Sequence, residues 1–175
     1  MPATAKLTIA SKDDVNLQVT AQYNPRELLV NQTIDWHDHQ ILKRDVVDAV
    51  DVEFGGMKPE TLQLELLFDG FENQGRLGKD VGSFAVMNQV LALKELAAVR
   101  FPGDPDPDRR RPHYCLVVWG DKGTLGVPPL RCVIESIAVK YLAFADDGTV
   151  LRASVTVGLK AADPVAIART SARTR

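Results

Sequence analysis

With 175 residues, the chain is long enough for one compact domain and leaves little room for a second. Its 21 Lys and Arg side chains against 23 Asp and Glu give a net charge of −2, which argues against a general nucleic-acid binder. The charge is uneven along the chain, because residues 1–80 carry 8 basic and 14 acidic side chains and residues 81–175 carry the other 13 and 9. Long apolar runs are absent, so we expect no transmembrane helix.

The ends and the cysteines indicate the compartment. The stretch from Met1 to Lys6 lacks the apolar segment of a secretory signal. Cys115 and Cys132 are too few for a disulfide scaffold or a thiolate zinc site. We therefore expect a reduced protein that resides in the cytoplasm.

Alternation of apolar and polar residues with a period of two predicts most of the fold. Asn24-Pro25 ends one such segment, and Trp36 and Leu64 are expected to point into the core. Between them, residues 37–58 are less regular and read as a long connection. The predicted strands lie near residues 7–9, 15–23, 28–36, 61–68, 113–119, 131–139, 141–144 and 149–159.

One segment instead has the helical period. Val86, Val90, Leu93 and Ala97 fall on one face, which predicts a helix over 83–99 with Ser83 as its N-cap. Strands and helices do not alternate, so we expect a mainly β fold of the α+β class. Its form would be an antiparallel sandwich or barrel with one flanking helix. The folded domain would span residues 1–160, followed by a short mobile tail at 161–175.

The sequence offers no convincing active site, so we expect neither catalysis nor a cofactor. His37 and His39 would point to the same side of a strand and could both reach a metal ion, but His113 is the only other histidine. We interpret His37 and His39 as solvated or interface residues. Cys115 and Cys132 read as small core residues.

The one basic run is Arg109-Arg110-Arg111, in the proline-punctuated loop 102–112. Three aspartates precede it at alternate positions, and no aromatic side chains are interleaved with it. A loop neutralised from within, or a contact with an acidic neighbour, fits this pattern better than a grip on phosphate.

Several segments, in their order along the chain, resemble the tube and tube-adaptor proteins of contractile injection systems, the phage-tail-like particles. An aromatic-Asn-Pro turn comes first and a strand leading to Trp follows it. Later come a strand ending in Phe-Asp, the predicted helix, a Trp-Gly strand end, and a strand pair closing on Leu-Arg-Ala. The residues that carry the likeness are Tyr23, Asn24, Pro25, Trp36, Phe68, Asp69, Trp119, Gly120, Gly148 and Arg152.

The resemblance implies a phage-tail-tube type of β-sandwich or barrel that assembles into hexameric rings. Family members join the spike or hub of the baseplate to the inner tube, start its polymerisation, and meet sheath and baseplate proteins. It implies no membrane or nucleic-acid partner. Many members also carry a peptidoglycan-binding LysM domain, for which the residues after Lys160 leave no room, so we expect no cell-wall binding.

Three other readings stay open at this point. The chain could be a main inner tube subunit rather than the adaptor. It could be a β-barrel module for a small ligand or nucleic acid, using Arg109 to Arg111. It could be a metal enzyme built on His37, His39 and His113. For the leading reading we expect assembly in the cytoplasm, followed by residence in the particle, including outside the cell after release.

Overall fold

The computed structural model describes residues 5–39, 51–73, 82–106, 109–119 and 129–162. The elements in chain order are β1 (Thr8–Ser11), β2 (Gln18–Thr20), β3 (Leu28–Asn31), β4 (Ile34–His39), β5 (Asp51–Met57), β6 (Thr61–Asp69), α1 (Gly70–Asn73), α2 (Gly82–Ala97), β7 (Cys115–Val118), β8 (Leu130–Phe144) and β9 (Val150–Ala161). Seven of these strands form one antiparallel sheet in the order β2-β1-β7-β8-β9-β6-β3, and β4 and β5 form a separate pair. The predicted mainly β, antiparallel architecture is confirmed.

The core lies between the sheet and α2. Alternation in β6 places Leu62, Leu64, Leu66 and Phe68 on one face, each at most 2% exposed. The facing helix buries Val86, Val90 and Leu93, as the predicted helical spacing places them, and also Leu96, while Ala97 of the predicted face is partly buried. Each fully buried aliphatic side chain contributes about 1.5–3 kcal/mol of transfer free energy, so this two-layer contact stabilises the domain.

The sheet curves until its two ends approach one another across the Gln22 side chain. Nε2 of Gln22 donates to the carbonyl oxygen of Asp69, and Oε1 of Gln22 accepts from the Asp69 N–H, both at 2.8 Å. This carboxamide therefore substitutes for a strand next to the end of β6. The result is an incompletely closed barrel, which refines the predicted sandwich or barrel.

The β8–β9 hairpin forms as its turn sequence predicts. Gly148 has a φ of 83°, which an Asp-Gly turn requires. The turn is closed by the Ala145 N–H, which donates to the Thr149 carbonyl oxygen at 2.8 Å. β8 is longer than expected, because the two predicted segments 131–139 and 141–144 form one strand with bulges near Ser136 and Ala143.

The first half of the chain contains the largest departures from the sequence prediction. The strand predicted at 15–23 covers only Gln18–Thr20, and Val15 lies in a turn with 88% of its surface exposed. The expected connection at 37–58 contains the second half of β4 and all of β5. Trp36 is 58% exposed, so its predicted place in the core is wrong. A period-two pattern does not show whether the apolar face meets this chain's core or another surface.

One smaller prediction at an element end also changes. The helix runs from Gly82 to Ala97, so Ser83 lies inside its first turn rather than capping it. β6 ends at Asp69, and the short helix α1 begins at the next residue, Gly70. Most of the tail predicted from residue 161 lies outside the described residues.

Candidate assembly interface

The β4–β5 pair is a hairpin arm that continues the edge of the barrel. β3 and β6 pair through Asn31↔Thr61, and a few residues further on β4 and β5 pair through Ile34↔Met57. Between the two ladders the Lys58 N–H donates to the Thr33 carbonyl oxygen at 2.9 Å. We call residues 34–39 together with 51–57 the hairpin arm.

One face of the hairpin arm is apolar and uncovered. The register places Trp36 opposite Phe54 and Ile34 opposite Met57, and the two aromatic rings meet edge to face at 5.6 Å. The large apolar side chains of this arm are 45–60% exposed: Ile34, Trp36, Val52, Phe54 and Met57. Five such side chains on one small ribbon form a patch of the kind that marks a protein-binding surface.

The opposite face of the hairpin arm is polar. The His37 ring lies directly over Gly55, where an added Cβ would approach its Nε2 to 2.4 Å, so a side chain at this position would displace the ring. Asp35 forms an ion pair with Lys58 at 3.2 Å. His39 and Asp51 are register partners in the β4–β5 ladder, and their side chains lie outside the described part of the structure. The arm is thus amphipathic across its thickness.

A long open strand edge runs along β8. β7 pairs with β8 only through residues 130–132, whereas β9 pairs along the other side up to Phe144. Within the described part of the chain, no strand covers the outer side of residues 133–144, which we call the β8 edge. Its far end carries exposed Tyr141, Leu142 and Phe144.

A second open edge lies along β3, the strand at one end of the sheet. β3 is the last strand in the sheet order, and no strand among the described residues pairs with its outer side. The β3 edge has four residues and adjoins the hairpin arm, whereas the β8 edge has twelve and ends at a hairpin turn. The two edges are therefore unlike, and backbone groups on both remain available for pairing.

Two of the three arginines in the basic run 109–111 form ion pairs within the chain. Arg109 bonds to Asp104 at 3.0 Å, and Arg111 bonds to both carboxylate oxygens of Asp13 at 2.8 and 3.0 Å. The Phe101 ring contacts the guanidinium groups of Arg100 and Arg109 at about 5 Å. Arg110 is exposed. This arrangement neutralises most of the basic run, which weakens the interpretation as a phosphate or nucleic-acid site.

Asp13 is the centre of a polar cluster that ties three loops together. Besides Arg111, it pairs with Arg100 at 3.1 Å and accepts from the Tyr114 N–H at 2.8 Å. The hydrogen bonds from Arg111, together with the nearby positive charges, lower the pKa of Asp13 to about 2. These contacts join three segments: the loop that carries Arg111, the turn between β1 and β2, and the start of β7.

His113 belongs to the same cluster and is almost fully buried. Its Nδ1 lies 2.8 Å from the Ser11 Oγ, which already accepts from the N–H groups of Asp13 and Asp14. The hydroxyl therefore donates to an unprotonated Nδ1. Burial lowers the pKa of His113, and the positive charge of Arg100 lowers it further. His113 thus has a structural partner rather than a free Nδ1.

The two cysteines lie opposite one another. Cys115 and Cys132 are register partners in β7 and β8, and both are fully buried as free thiols. Burial raises the pKa of Cys115 to about 11 and that of Cys132 to about 12. Both side chains pack as core residues and contain very little of the reactive thiolate.

The residues that carried the family resemblance have structural roles where they are described. Asn24 receives the Leu7 N–H at 3.0 Å and donates to the Ala5 carbonyl oxygen at 2.8 Å, so it holds the start of β1. Phe68 and Pro25 are buried, and Trp119 packs against the core. Asp69 forms an ion pair with Arg152. Tyr23 lines a surface groove. Gly120 lies outside the described residues.

Two further features, a metal-binding cluster and a membrane-spanning helix, are absent from the described residues. No group of three or more His, Cys, Asp or Glu side chains is placed there to share a metal ion. No helix there is long and apolar enough to span a membrane.

The architecture described above is that of an assembly protein: a curved sheet with two unlike open edges and an apolar arm. The family model described as contractile injection system tube protein matches residues 3–167, nearly the whole chain. The chain therefore belongs to the contractile injection system tube protein family. A comparison with curated proteins gave no significant match.

Proposed function

We propose that this tube-family chain is a non-enzymatic structural subunit whose copies form a ring that joins the spike or hub of the baseplate to the inner tube. In this role the ring also starts tube assembly. The observation that supports ring formation is the presence of two unlike open edges, β3 and β8, on one sheet. Assembly would take place in the cytoplasm, and the ring would then stay in the particle.

Unlike edges favour a ring over a simple pair. If the β8 edge of one copy pairs with the β3 edge of the next, each copy uses two different surfaces, and the contact repeats until the circle closes. A two-fold dimer would instead join one edge to itself and leave the other open. Six copies are what the family resemblance implies, and sheath or baseplate proteins would surround the ring.

The hairpin arm supplies the apolar contact of the same assembly. Its exposed face, centred on Trp36 and Phe54, would pack on a neighbouring copy and remove those side chains from water. Its opposite face carries Asp35 and Glu53 and would stay at the rim, where charged groups keep their solvent.

A second candidate is the main inner tube subunit. The description of the family as tube protein favours it, and the same edges and arm would serve stacked rings. The candidates differ in their partners, because an adaptor binds the spike on one side and the tube on the other, whereas a main subunit binds copies of itself on both sides.

Reconstitution with the spike or hub protein and the inner tube protein tests the proposal. Electron microscopy and mass measurement should show a closed ring between the two partners. The paired substitution Trp36→Ser with Phe54→Ser should abolish the ring, and the exposed Leu91→Ser on α2 serves as the matched control. A protein that remains monomeric and joins neither partner contradicts the proposal.

The edge pairing has its own test by cross-linking. Asn31→Cys places a thiol on β3, and Lys140→Cys places one on the β8 edge. A short bismaleimide should join the two variants when they are mixed, while each variant alone should give few dimers. The buried native cysteines do not compete. Dimers from a single variant at equal yield would indicate a two-fold contact and rule out the ring described above.

A further inference from the structure

A recess lies beside the end of α2, next to the β8 edge, and has a volume of about 230 Å³. Lys94, Ala97 and Ala98 line it from the helix side, and residues 134–137 line it from β8. These β8 residues lie beyond Cys132, the last residue of β8 that β7 covers. Because the two alanine side chains are small, a strand added at the β8 edge can place one large apolar side chain beside the helix. We call this site the alanine recess.

β3 and β4 together form one continuous open edge that matches the β8 edge in length. β6 and β5 follow each other along one side of this run, joined by the bond from the Lys58 N–H to the Thr33 carbonyl oxygen. No strand among the described residues pairs with the other side. Residues 28–39 comprise the four of β3, two connecting residues and the six of β4, which makes twelve, as in the β8 edge. Another copy can therefore pair its β3–β4 edge along the whole β8 edge.

The strand directions within one sheet set the sense of this pairing. β8 and β3 are separated by three antiparallel steps, through β9 and β6, so they run in opposite directions. Rotation about a ring axis that runs along the strands keeps every strand direction. β8 of one copy therefore meets β3 and β4 of the next in the antiparallel sense. The beginning of the β8 edge, which carries the alanine recess, then lies beside β4, and its end lies beside β3.

We propose that Trp36 on the hairpin arm of one copy inserts into the alanine recess of the next copy, opposite Ile137. Trp36 is 58% exposed in the isolated chain and carries the largest apolar side chain of β4. Ile137 lines the recess and is only partly buried. The inference rests on the proposed function, because it names the site at which the hairpin arm contacts a neighbouring copy.

This register continues the apolar core face of one copy into the next. With Trp36 opposite Ile137, antiparallel counting places Ile34 opposite Val139. Ile137 and Val139 belong to the core face of β8, because their register partners in β9, Val157 and Val155, are fully buried. Side chains that stand opposite each other in a ladder lie on the same face. The apolar face of the hairpin arm thus extends the core of the neighbouring barrel.

The polar face of the hairpin arm fits the same register. Asp35 falls opposite Ala138 and diagonal to Lys140, and both lie on the outer face of β8. Asp35 already pairs with Lys58 of its own copy at 3.2 Å, and Lys140 adds a second positive charge on the other side. Strand addition of this kind combines backbone pairing with specific side-chain contacts.

Disulfide formation between two variants of the full-length chain tests the register without any partner protein. Asp35→Cys mixed with Ala138→Cys under oxidised glutathione should form mixed disulfide dimers. The matched controls are Asp35→Cys mixed with Ser136→Cys or with Lys140→Cys, which lie on the same face but are displaced by two residues. The Ala138→Cys mixture should react at least about ten-fold faster than either control, because displacement moves the thiols beyond disulfide distance. Equal rates in the three mixtures, or a faster control, overturn the proposal.

Filling the alanine recess tests the pocket itself. Ala98 is exposed in the isolated chain, so Ala98→Phe should leave the fold intact but occupy the recess and weaken self-association at least about ten-fold in sedimentation velocity. Val99→Phe changes the next residue, which is exposed but does not line the recess, and should associate like the native chain. Mixed with Trp36→Ser, Ala98→Phe should form a 1:1 dimer, because one copy keeps the tryptophan and the other keeps the recess.

These outcomes separate the contact from the proposed function. If Ala98→Phe associates like Val99→Phe, or if no 1:1 dimer forms with Trp36→Ser, the contact is overturned, even where the native chain still forms a ring between spike and tube. If the 1:1 dimer and the Ala138→Cys disulfide form but no ring joins the spike and the tube, the contact stands and the proposed function fails.

Discussion

Asp69 and Arg152 lie 83 residues apart in sequence and form an ion pair across β6 and β9. The Asp69 Oδ2 accepts from Nη2 of Arg152 at 2.6 Å and from Nε at 3.0 Å. The two are register partners, and the Asp69 side chain is only 12% exposed. The pair therefore ties the end of β6 to the start of β9, beside the Gln22 bridge.

Removing the arginine should destabilise the domain. Arg152→Ala leaves the Asp69 carboxylate largely buried and without its cation, so we expect a loss of about 1–3 kcal/mol in the free energy of unfolding. The control is Lys160→Ala on the same strand, because Lys160 pairs with Glu135 at an exposed position and should cost less than about 1 kcal/mol. Urea denaturation measures both. Equal losses would show that the Asp69–Arg152 pair is no stronger than a surface pair.

The bridge between the ends of the sheet should also be measurable. Gln22→Glu keeps an acceptor for the Asp69 N–H but loses the donor to its carbonyl oxygen, and we expect about 1–2 kcal/mol of destabilisation. Gln18→Glu, an exposed change on β2, makes the same chemical substitution and should be nearly neutral. If both variants unfold at the same urea concentration, the carboxamide does not hold the barrel together.

Asp13 should make the fold sensitive to strong acid. The pKa of Asp13 is about 2 in the folded protein and 3.8 in the unfolded chain, so the unfolded chain binds more protons between those values. The stabilisation is complete above pH 3.8 and is lost as the pH falls through 2, with a total on the order of 2 kcal/mol. Urea midpoints measured between pH 2 and 5 should decline more steeply in the native protein than in Asp13→Asn. Parallel profiles would contradict this assignment.

His113 should act in a higher pH window. Its folded pKa lies below 6.5, so stability is full above that value and declines as the pH falls from 6.5 toward the folded pKa. Protonation of Nδ1 also removes the acceptor of the Ser11 hydroxyl. His113→Gln should flatten the profile of unfolding free energy between pH 7.5 and 5. A native profile that is already flat there would rule out this role.

Leu64 and Trp36 should separate folding from assembly. Leu64 is 2% exposed, so Leu64→Ala should cost about 2–5 kcal/mol in unfolding free energy. Trp36 is 58% exposed, and Trp36→Ala should change the stability of the isolated chain by less than about 1 kcal/mol. Chemical denaturation of the two monomeric variants decides this. A large loss for Trp36→Ala would show that the arm packs on its own barrel.

Local patterns along the chain were sufficient to predict several strands, a turn and the helix. The alternation of Leu62 to Phe68, the spacing of Val86 to Ala97 and the Asp-Gly turn before Thr149 each predicted the element that forms. Their signals are local, because a strand with one buried face and a helix with one buried stripe have fixed periods. The family likeness was also visible in short segments, and the family match over residues 3–167 confirms it.

The candidate interface was harder to read from the same patterns. Trp36 looks like a core residue, since period-two spacing reports that one face is apolar and does not report what covers it. Its partner Phe54 lies in the stretch 37–58, which reads as a connection. Likewise, an exposed strand edge depends on where neighbouring strands end. β7 pairs with β8 only as far as Cys132 while β8 continues to Phe144, and no local sequence signal marks that difference in length.

The ion pairs, too, could not be read from the distribution of charge along the sequence. By sequence the acidic residues concentrate in the first half and the basic residues in the second. The fold instead pairs Asp13 with Arg100 and Arg111, and Asp69 with Arg152, across the two halves. The class of most elements and the family follow from the sequence alone, because periods and short motifs are carried by individual segments. The neutralised carboxylates, the open edges and the uncovered apolar face follow from the fold, because they depend on contacts between residues distant in the chain.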